Sequence, residues 1–301
     1  MLKRKGIYYG VYSVIRYSWR IVKKSIAYLS YVKYFITKPT LICGQNPMSI
    51  TVSFTTYPAR VKWLPIVIGS IARQSRKPDR VVLYLSKEQF VNSKHYILKR
   101  IRKQGVDIKF VGGDIKSHKK YFYAMQEYPE DLIVTIDDDI IYDRNMIDDL
   151  YKSFIKHPKA VSAKRVHEIT FHDNKKPKPY LEWKIGTKEI IDVESFALIA
   201  TGCGGILYPP SRLDKRYLEK EIFMNKCLYA DDLWLKIMEL LQGTPVVLAK
   251  SNNYKLKQIW NTECGGLALV NVGGSGNDDQ LEAICRHYNI DLYSLQKMIC
   301  S

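Results

Sequence analysis

No Asp or Glu precedes Asp79, although Lys and Arg recur from Lys3 onward, so the formal charge of +17 is concentrated at the front of the chain. Long apolar runs are missing as well. Charges break every apolar stretch of the first 38 residues well before the roughly 20 residues a spanning helix needs. The stretch carries arginines and no small-residue cleavage site follows it, which argues against a signal peptide. The six cysteines, at 43, 203, 227, 264, 285 and 300, include no Cys-x-x-Cys pair and no zinc-like spacing, and free thiols in a reducing cytoplasm are the simplest expectation. Internal repeats and low-complexity tracts are also missing.

The basic front end is aromatic and aliphatic too. Placed on a helix, Ser13, Arg16, Arg20, Lys23 and Lys24 fall on one side, and Val11, Val14, Ile15, Ile21, Val22, Ile26 and Leu29 fall on the other. With Tyr8, Tyr9, Tyr12, Tyr17 and Trp19 dispersed among them, residues 1–38 read as a basic amphipathic segment lying on an anionic membrane surface. Packing on the domain or binding to nucleic acid are the alternatives. Bulky aliphatics between the aromatics disfavour a nucleic-acid stacking platform, and no nucleic acid is expected.

The strongest chemical signal is D-L-I-V-T-I-D-D-D-I-I-Y-D, where an apolar run from Leu132 to Ile136 leads into Asp137, Asp138 and Asp139. Such a run reads as a buried strand. Strand alternation would project Asp137 and Asp139 together and turn Asp138 away. Two carboxylates at a strand exit make a hard-cation site suited to Mg²⁺ or Mn²⁺, with open positions left for phosphates. A turn in which Asp139 or Asp143 caps the following helix, M-I-D-D-L-Y-K-S-F, accounts for one acid and not for three.

Upstream, S-I-T-V-S-F-T-T-Y-P reads as a strand ended by Pro58, and V-K-W-L-P-I-V-I-G-S-I-A-R-Q-S as a helix. R-V-V-L-Y-L is a second strand, Q-F-V-N-S-K-H-Y-I-L-K-R-I-R-K a helix, V-D-I-K-F-V a third strand, and K-K-Y-F-Y-A-M-Q a helix before the acidic strand. This alternation predicts an α/β fold with a mainly parallel sheet flanked by helices. Ligands of such sheets sit beyond the carboxyl ends of the strands, which places Thr55, Thr56 and Tyr57 on the same rim as the aspartates. Downstream, K-A-V-S-A-K-R-V-H reads as one strand, S-F-A-L-I-A-T-G-C-G-G-I-L-Y-P-P as a glycine-interrupted strand pair, and Y-A-D-D-L-W-L-K-I-M-E-L-L as a helix ending at Gly243. Three segments are expected: 1–38 on a membrane, 48–250 as the catalytic domain, and 251–301 packing on or completing it.

The strand-first half, the triple aspartate at a strand end, the glycine-rich turn and the later acidic pair before a helix together resemble the GT-A (Rossmann-like) glycosyltransferases, family 2-like and of the bacterial surface polysaccharide type. The likeness spans roughly residues 48 to 250. It implies transfer of a sugar from a nucleotide diphosphate donor, a UDP-sugar above all, with Mn²⁺ or Mg²⁺, to a saccharide or lipid-linked acceptor. By the D-x-D element, Asp137 would contact the ribose or base side, Asp139 would ligate the metal, and Asp138 would assist. Thr55, Tyr57 and Arg60 become candidate nucleotide contacts, Asp114 a base acceptor, and Lys119 or Lys120 a phosphate partner unless they are a solvated helix start.

In C-L-Y-A-D-D-L-W-L-K the resemblance makes Asp232 the general base and Asp231 its neighbour, where the family often carries Glu-Asp; helix capping by Asp231 is the bland alternative. T-G-C-G-G matches the acceptor loop through Gly202, Gly204 and Gly205, with Arg165 and His167 as further candidates. No Q-x-x-R-W element of processive synthases occurs, which suggests single additions, and His287 lies in an ordinary helical stretch. The expected place of action is the cytoplasmic face of a membrane. A sugar-nucleotide pyrophosphorylase is a rival, but F-T-T-Y-P-A-R-V-K after the first strand lacks the glycines needed to wrap a triphosphate. The other rival is a nonenzymatic basic protein.

Overall fold

The structure is a computed structural model that describes residues 40–42, 46–91, 95–250, 257–259, 262 and 276–299, together with eight positions between 18 and 37. Most of the expected basic helix of 1–38 therefore lies outside the described residues. The eight described positions there are all helical and exposed, and Trp19, Val22, Ile26 and Leu29 share one helical face by their spacing of three and four.

The described residues form ten strands: β1 (Ile50–Thr55), β2 (Arg80–Ser86), β3 (Val106–Val111), β4 (Leu132–Thr135), β5 (Val161–Ala163), β6 (Val166–Glu168), β7 (Glu194–Ser195), β8 (Leu198–Ala200), β9 (Ile206–Tyr208) and β10 (Val246–Leu248). Eight of them make one sheet in the order β3-β2-β1-β4-β9-β5-β10-β7, and β6 pairs with β8 in a small second sheet. β1 runs parallel to β2 and β4, β2 to β3, and β5 to β10, while β9 and β7 are antiparallel to their neighbours. The expected mainly parallel α/β sheet is present.

Alternation along the strands supplies two cores. Ile50, Val52 and Phe54 of β1, with Val81, Leu83, Leu132 and Val134, pack on α1 (Leu64–Ala72), α2 (Tyr96–Arg102) and α4 (Met146–Lys156). Val82, Tyr84, Ile133, Ile206 and Tyr208 point into the other core, with α3 (Lys119–Glu127), α5 (Lys220–Lys226) and α6 (Asp231–Gln242). Each fully buried aliphatic contributes about 1.5–3 kcal/mol, so the two cores hold the strand ends rigidly. Pro65 lies in the first turn of α1, where its missing N–H has no carbonyl to reach. Leu281 and Ile284 of α7 (Gly276–His287) and Leu292 of α8 (Leu292–Ile299) join the second core beside Trp234.

Three expectations change. The stretch K-A-V-S-A-K-R-V-H is two strands in two sheets, because the chain leaves the main sheet at Lys164 and Arg165. The helix expected from Gln89 begins only at Tyr96. β4 stops at Thr135, so strand alternation does not extend through the aspartates.

Candidate active site

β1 and β4 are parallel neighbours, and the strand order reverses between them, β1 continuing to β2 on one side and the chain returning as β4 on the other. A crevice opens beyond the carboxyl ends at such a point. The residues that leave β1 and β4 are Thr56, Tyr57 and Ile136 to Asp139.

Asp138 and Asp139, rather than Asp137 and Asp139, share a partner. Arg60, on the 3₁₀ turn Pro58–Trp63, places Nη1 2.7 Å from Asp138 Oδ1 and 3.2 Å from Asp139 Oδ2. Thr56 Oγ1 donates to Asp138 Oδ2 at 2.5 Å, and Gln258 Nε2 donates to Asp139 Oδ2 at 3.0 Å. The segment around Gln258 straps this turn: Ile259 N donates to Asp139 O, Ile141 N donates to Lys257 O, and Arg60 Nη2 donates to Thr262 O. Burial, and then the nearby Asp137, push the Asp139 carboxyl up to about 6 despite Arg60. Burial also raises Asp138, against the pull of Arg60.

Asp137 faces the opposite wall. Its side chain is 30% exposed, and Oδ1 accepts from Lys120 Nζ at 3.0 Å. Lys120, in the first turn of α3 and itself buried, also lies 2.9 Å from Asp231 Oδ2. The next residue, Asp232, accepts the Gly202 N–H on Oδ2 at 3.0 Å, whereas its buried Oδ1 has no hydrogen-bond partner. Gly202 stands where the two acid groups meet: a Cβ there would lie 2.6 Å from Lys120 Nζ, 3.3 Å from Asp137 Oδ1 and 3.5 Å from Asp232 Oδ1.

The adjacent acids of α6 are set apart electrostatically. Burial works to raise Asp231, but Lys120 overcomes it and the carboxyl is held below its ordinary range. Burial and the Asp231 charge together push Asp232 up to about 7. Neither acid caps the helix, since Ala230 is the N-cap residue and no side chain caps it. Asn145 likewise precedes α4 without a side-chain cap, so the capping alternatives fail at both acid groups.

Behind Asp231 lies His118, which the sequence reading did not single out. It is fully buried, stacks on Phe223 at 4.2 Å, and burial lowers its imidazole to about 4. Neutral His118 donates from Nε2 to Cys227 O and accepts at Nδ1 from the Tyr121 hydroxyl, both at 2.8 Å, since a carbonyl can only accept. This ties the turn before Asp231 to the start of α3. Gln258 and Thr56 were also missed. Gln258 is distant in sequence and carries no motif; Thr56 lies on the expected rim, but its neighbours Thr55 and Tyr57 were the candidate contacts there.

Other expected residues lie apart. The Thr55 hydroxyl donates to Tyr84 O within the sheet. Tyr57 stacks beside Arg60, with its ring centroid 5.3 Å from the guanidinium. Asp114 follows β3, two strands from β1, and its oxygens are taken by Lys116, Lys119 and Gln89. Arg165 donates to Thr201 Oγ1 at 3.0 Å. Buried His167 accepts the Gly186 N–H at Nδ1, and burial lowers it to about 4. Gly204 serves packing, because a Cβ would press the Arg165 backbone nitrogen at 2.7 Å, and Gly205 has φ +88° with Met146 close by. Of the three glycines only Gly202 reaches the acids. Burial, then the Asp232 charge, raise the Tyr180 phenol, a group on the Asp232 side that the sequence did not flag.

No protein-family model and no curated protein matches this sequence. Among solved structures, a TarS fragment from S. aureus in complex with UDP aligns at 13% identity and TM-score 0.40, over 68% of this chain and 59% of that one. The mannosyltransferase PcManGT from Pyrobaculum calidifontis, in complex with GDP-Man and Mn²⁺, aligns at 9% identity and TM-score 0.49, over 93% and 80%. A CMP:2-keto-3-deoxy-manno-octonic acid synthetase complexed with CTP aligns at 10% identity and TM-score 0.39, over 66% and 87%. The chain spans just over half the length of the TarS fragment.

Proposed function

We propose that this protein is a cation-dependent, inverting glycosyltransferase that moves a sugar from a nucleotide diphosphate donor, a UDP-sugar, to a saccharide or lipid-linked acceptor hydroxyl. The observation that carries this reading is the convergence at Gly202, where Asp137 from the exit of β4 and Asp232 from the start of α6 lie on either side of one backbone position at the sheet's switch point.

Mg²⁺ or Mn²⁺ fits the donor side. Such ions use one or two carboxylates together with substrate phosphates, so no closed cage is needed, and none of three His, Cys, Asp or Glu is found among the described residues. Asp137, Asp138 and Asp139 crowd one turn, and the Asp139 carboxyl is raised by burial first and by the neighbouring acids second. Asp137 and Asp139 would hold the ion, and Asp138 would stay with Arg60 and Thr56. When bound, the cation neutralises the charge that develops on the departing nucleoside diphosphate. Tyr57 borders the same rim.

On the other side, Asp232 Oδ1 takes the proton of the acceptor hydroxyl. As that oxygen bonds to C1, the bond from C1 to the phosphate oxygen breaks and its electron pair leaves with the nucleoside diphosphate. An acid near 7 suits this step, while Asp231, whose Oδ2 makes no hydrogen bond either but is ion-paired to Lys120 at 2.9 Å and so held ionised, does not. Gly202 keeps the approach open, and Arg165 and Tyr180 lie on the acceptor side.

A membrane surface is the proposed place of action. Trp19, Val22, Ile26 and Leu29 form an exposed apolar stripe in a segment that carries Lys and Arg and no acid. No helix among the described residues is long and apolar enough to cross a membrane.

Purified protein incubated with a panel of nucleotide sugars and Mn²⁺ should bind or hydrolyse one of them, and Asp139→Ala should lose the cation-dependent part. Absence of donor binding and hydrolysis across the panel, with Asp139→Ala indistinguishable from the parent, would overturn the reading. NMR of the product anomer decides inversion. Deleting residues 1–38 should abolish binding to anionic liposomes; retained binding would place the contact elsewhere.

A further inference from the structure

Lys120 was expected to meet phosphate, yet its ammonium is inside the protein. Its side chain is 5% exposed and lies between two carboxylates of separate elements, 3.0 Å from Asp137 Oδ1 and 2.9 Å from Asp231 Oδ2. On the third side Gly202 carries no side chain, and the ammonium takes the space that a Cβ there would need, 2.6 Å from Nζ. The base of α3 is fixed from behind by His118, held between Cys227 O and the Tyr121 hydroxyl. A cation so placed has little room for a phosphate.

We propose that Lys120 is a positioning residue that joins the donor-side acid Asp137 to the acid pair of α6, holding Asp231 and thereby leaving Asp232 Oδ1 unpartnered and directed at the acceptor. This deepens the glycosyltransferase reading and rests on it for its catalytic half. The physical reason is that two adjacent acids at one helix start compete for any nearby cation. The one that wins is pinned and ionised, and the other remains available. Gly202 N–H then orients Asp232 through Oδ2. Asp137 anchors the ammonium from the far side, so the spacing between donor and base is set by one side chain rather than by two independent loops.

The bridge is tested apart from activity by a thermal-stability cycle. Lys120→Met in the parent leaves Asp137, Asp231 and Asp232 facing one another without their cation and should lower Tm on the order of 10 °C. In an Asp137→Asn, Asp231→Asn, Asp232→Asn background, Lys120 is itself the uncompensated buried charge, so the same Lys120→Met change should raise Tm. A fall of similar size in both backgrounds, or no change in either, overturns the bridge. If the parent variant is too unstable to purify, the sign in the triple-Asn background still decides.

The positioning role is read from kinetics on the donor that the panel identifies. Lys120→Met should lower kcat for transfer at least 30-fold while donor KM changes less than about 3-fold. A main effect on donor KM would assign Lys120 to phosphate binding instead and overturn the proposal, and so would an unchanged kcat. Should the parent turn over no donor at all, the glycosyltransferase reading falls while the stability cycle continues to test the bridge.

Discussion

The acid run after β4 and the acid pair that begins α6 look alike in sequence, but the fold balances them differently. Asp138 and Asp139 share Arg60, with Thr56 and Gln258 completing the shell. Asp231 shares Lys120 with Asp137, and Asp232 is left with a single backbone N–H. In the first group the charges are crowded, and Asp137 remains partly open. The second is split, one acid ionised and one near neutrality, which is the arrangement a proton acceptor needs. Equal residue types acquire unequal roles through which cation reaches them.

The largest effect that would break this division is at Asp232, the proposed base. Asp232→Asn should reduce transfer on the order of a thousandfold with cation-dependent nucleoside diphosphate binding retained, as read by steady-state kinetics and calorimetry. Equal loss of binding would return Asp232 to the donor side. Next is the shared guanidinium of the first group. Arg60→Met strands two buried carboxylates and should cost about 3–5 kcal/mol, measured by denaturant unfolding.

A smaller change comes from the burial and crowding of the first group. The Asp139 carboxyl is raised from 3.8 to about 6, so the folded state binds its proton more tightly than the unfolded chain does. Stability from this group is therefore present at pH 4 and lost as pH rises through about 6. Asp139→Asn should be nearly neutral at pH 4 and more stable than the parent by roughly 3 kcal/mol at pH 8 without added cation. A pH-independent difference would show that the Asp139 carboxyl is not raised in the folded state. The smallest effect concerns the paired acids. With Asp232 raised to about 7, kcat/KM should climb with pH through that value and level above it. Asp231→Asn removes the neighbouring charge that helps raise Asp232, so the limb should move down by about one pH unit. An unmoved limb would mean that another group carries the titration.

Much of the scaffold was legible from the chain. Apolar runs with β-rich composition marked β1 to β4, and the intervening helical spacing placed α1, α3 and α4, because a parallel sheet covered on both faces needs continuous apolar strands. The end of α6 at Gly243 was legible for a similar local reason. Local pattern misled where tertiary pairing decided. Nothing in K-A-V-S-A-K-R-V-H marks the point at which the backbone crosses between sheets. At the aspartates, strand periodicity predicted that Asp137 and Asp139 would project together, but β4 ends at Thr135 and the turn sends Asp138 and Asp139 jointly to Arg60.

By itself the sequence determined the α/β alternation, the position of both acid groups at element ends, and the concentration of positive charge before Asp79, since these follow from periodicity and composition. Only the tertiary structure decided which cation each acid meets. Arg60 reaches Asp138 and Asp139, and Lys120 bridges Asp137 to Asp231. Gln258 arrives from a segment far along the chain. Electrostatic roles depend on distance and burial, and those distances exist only once β1, β4, α3 and α6 have packed around Gly202.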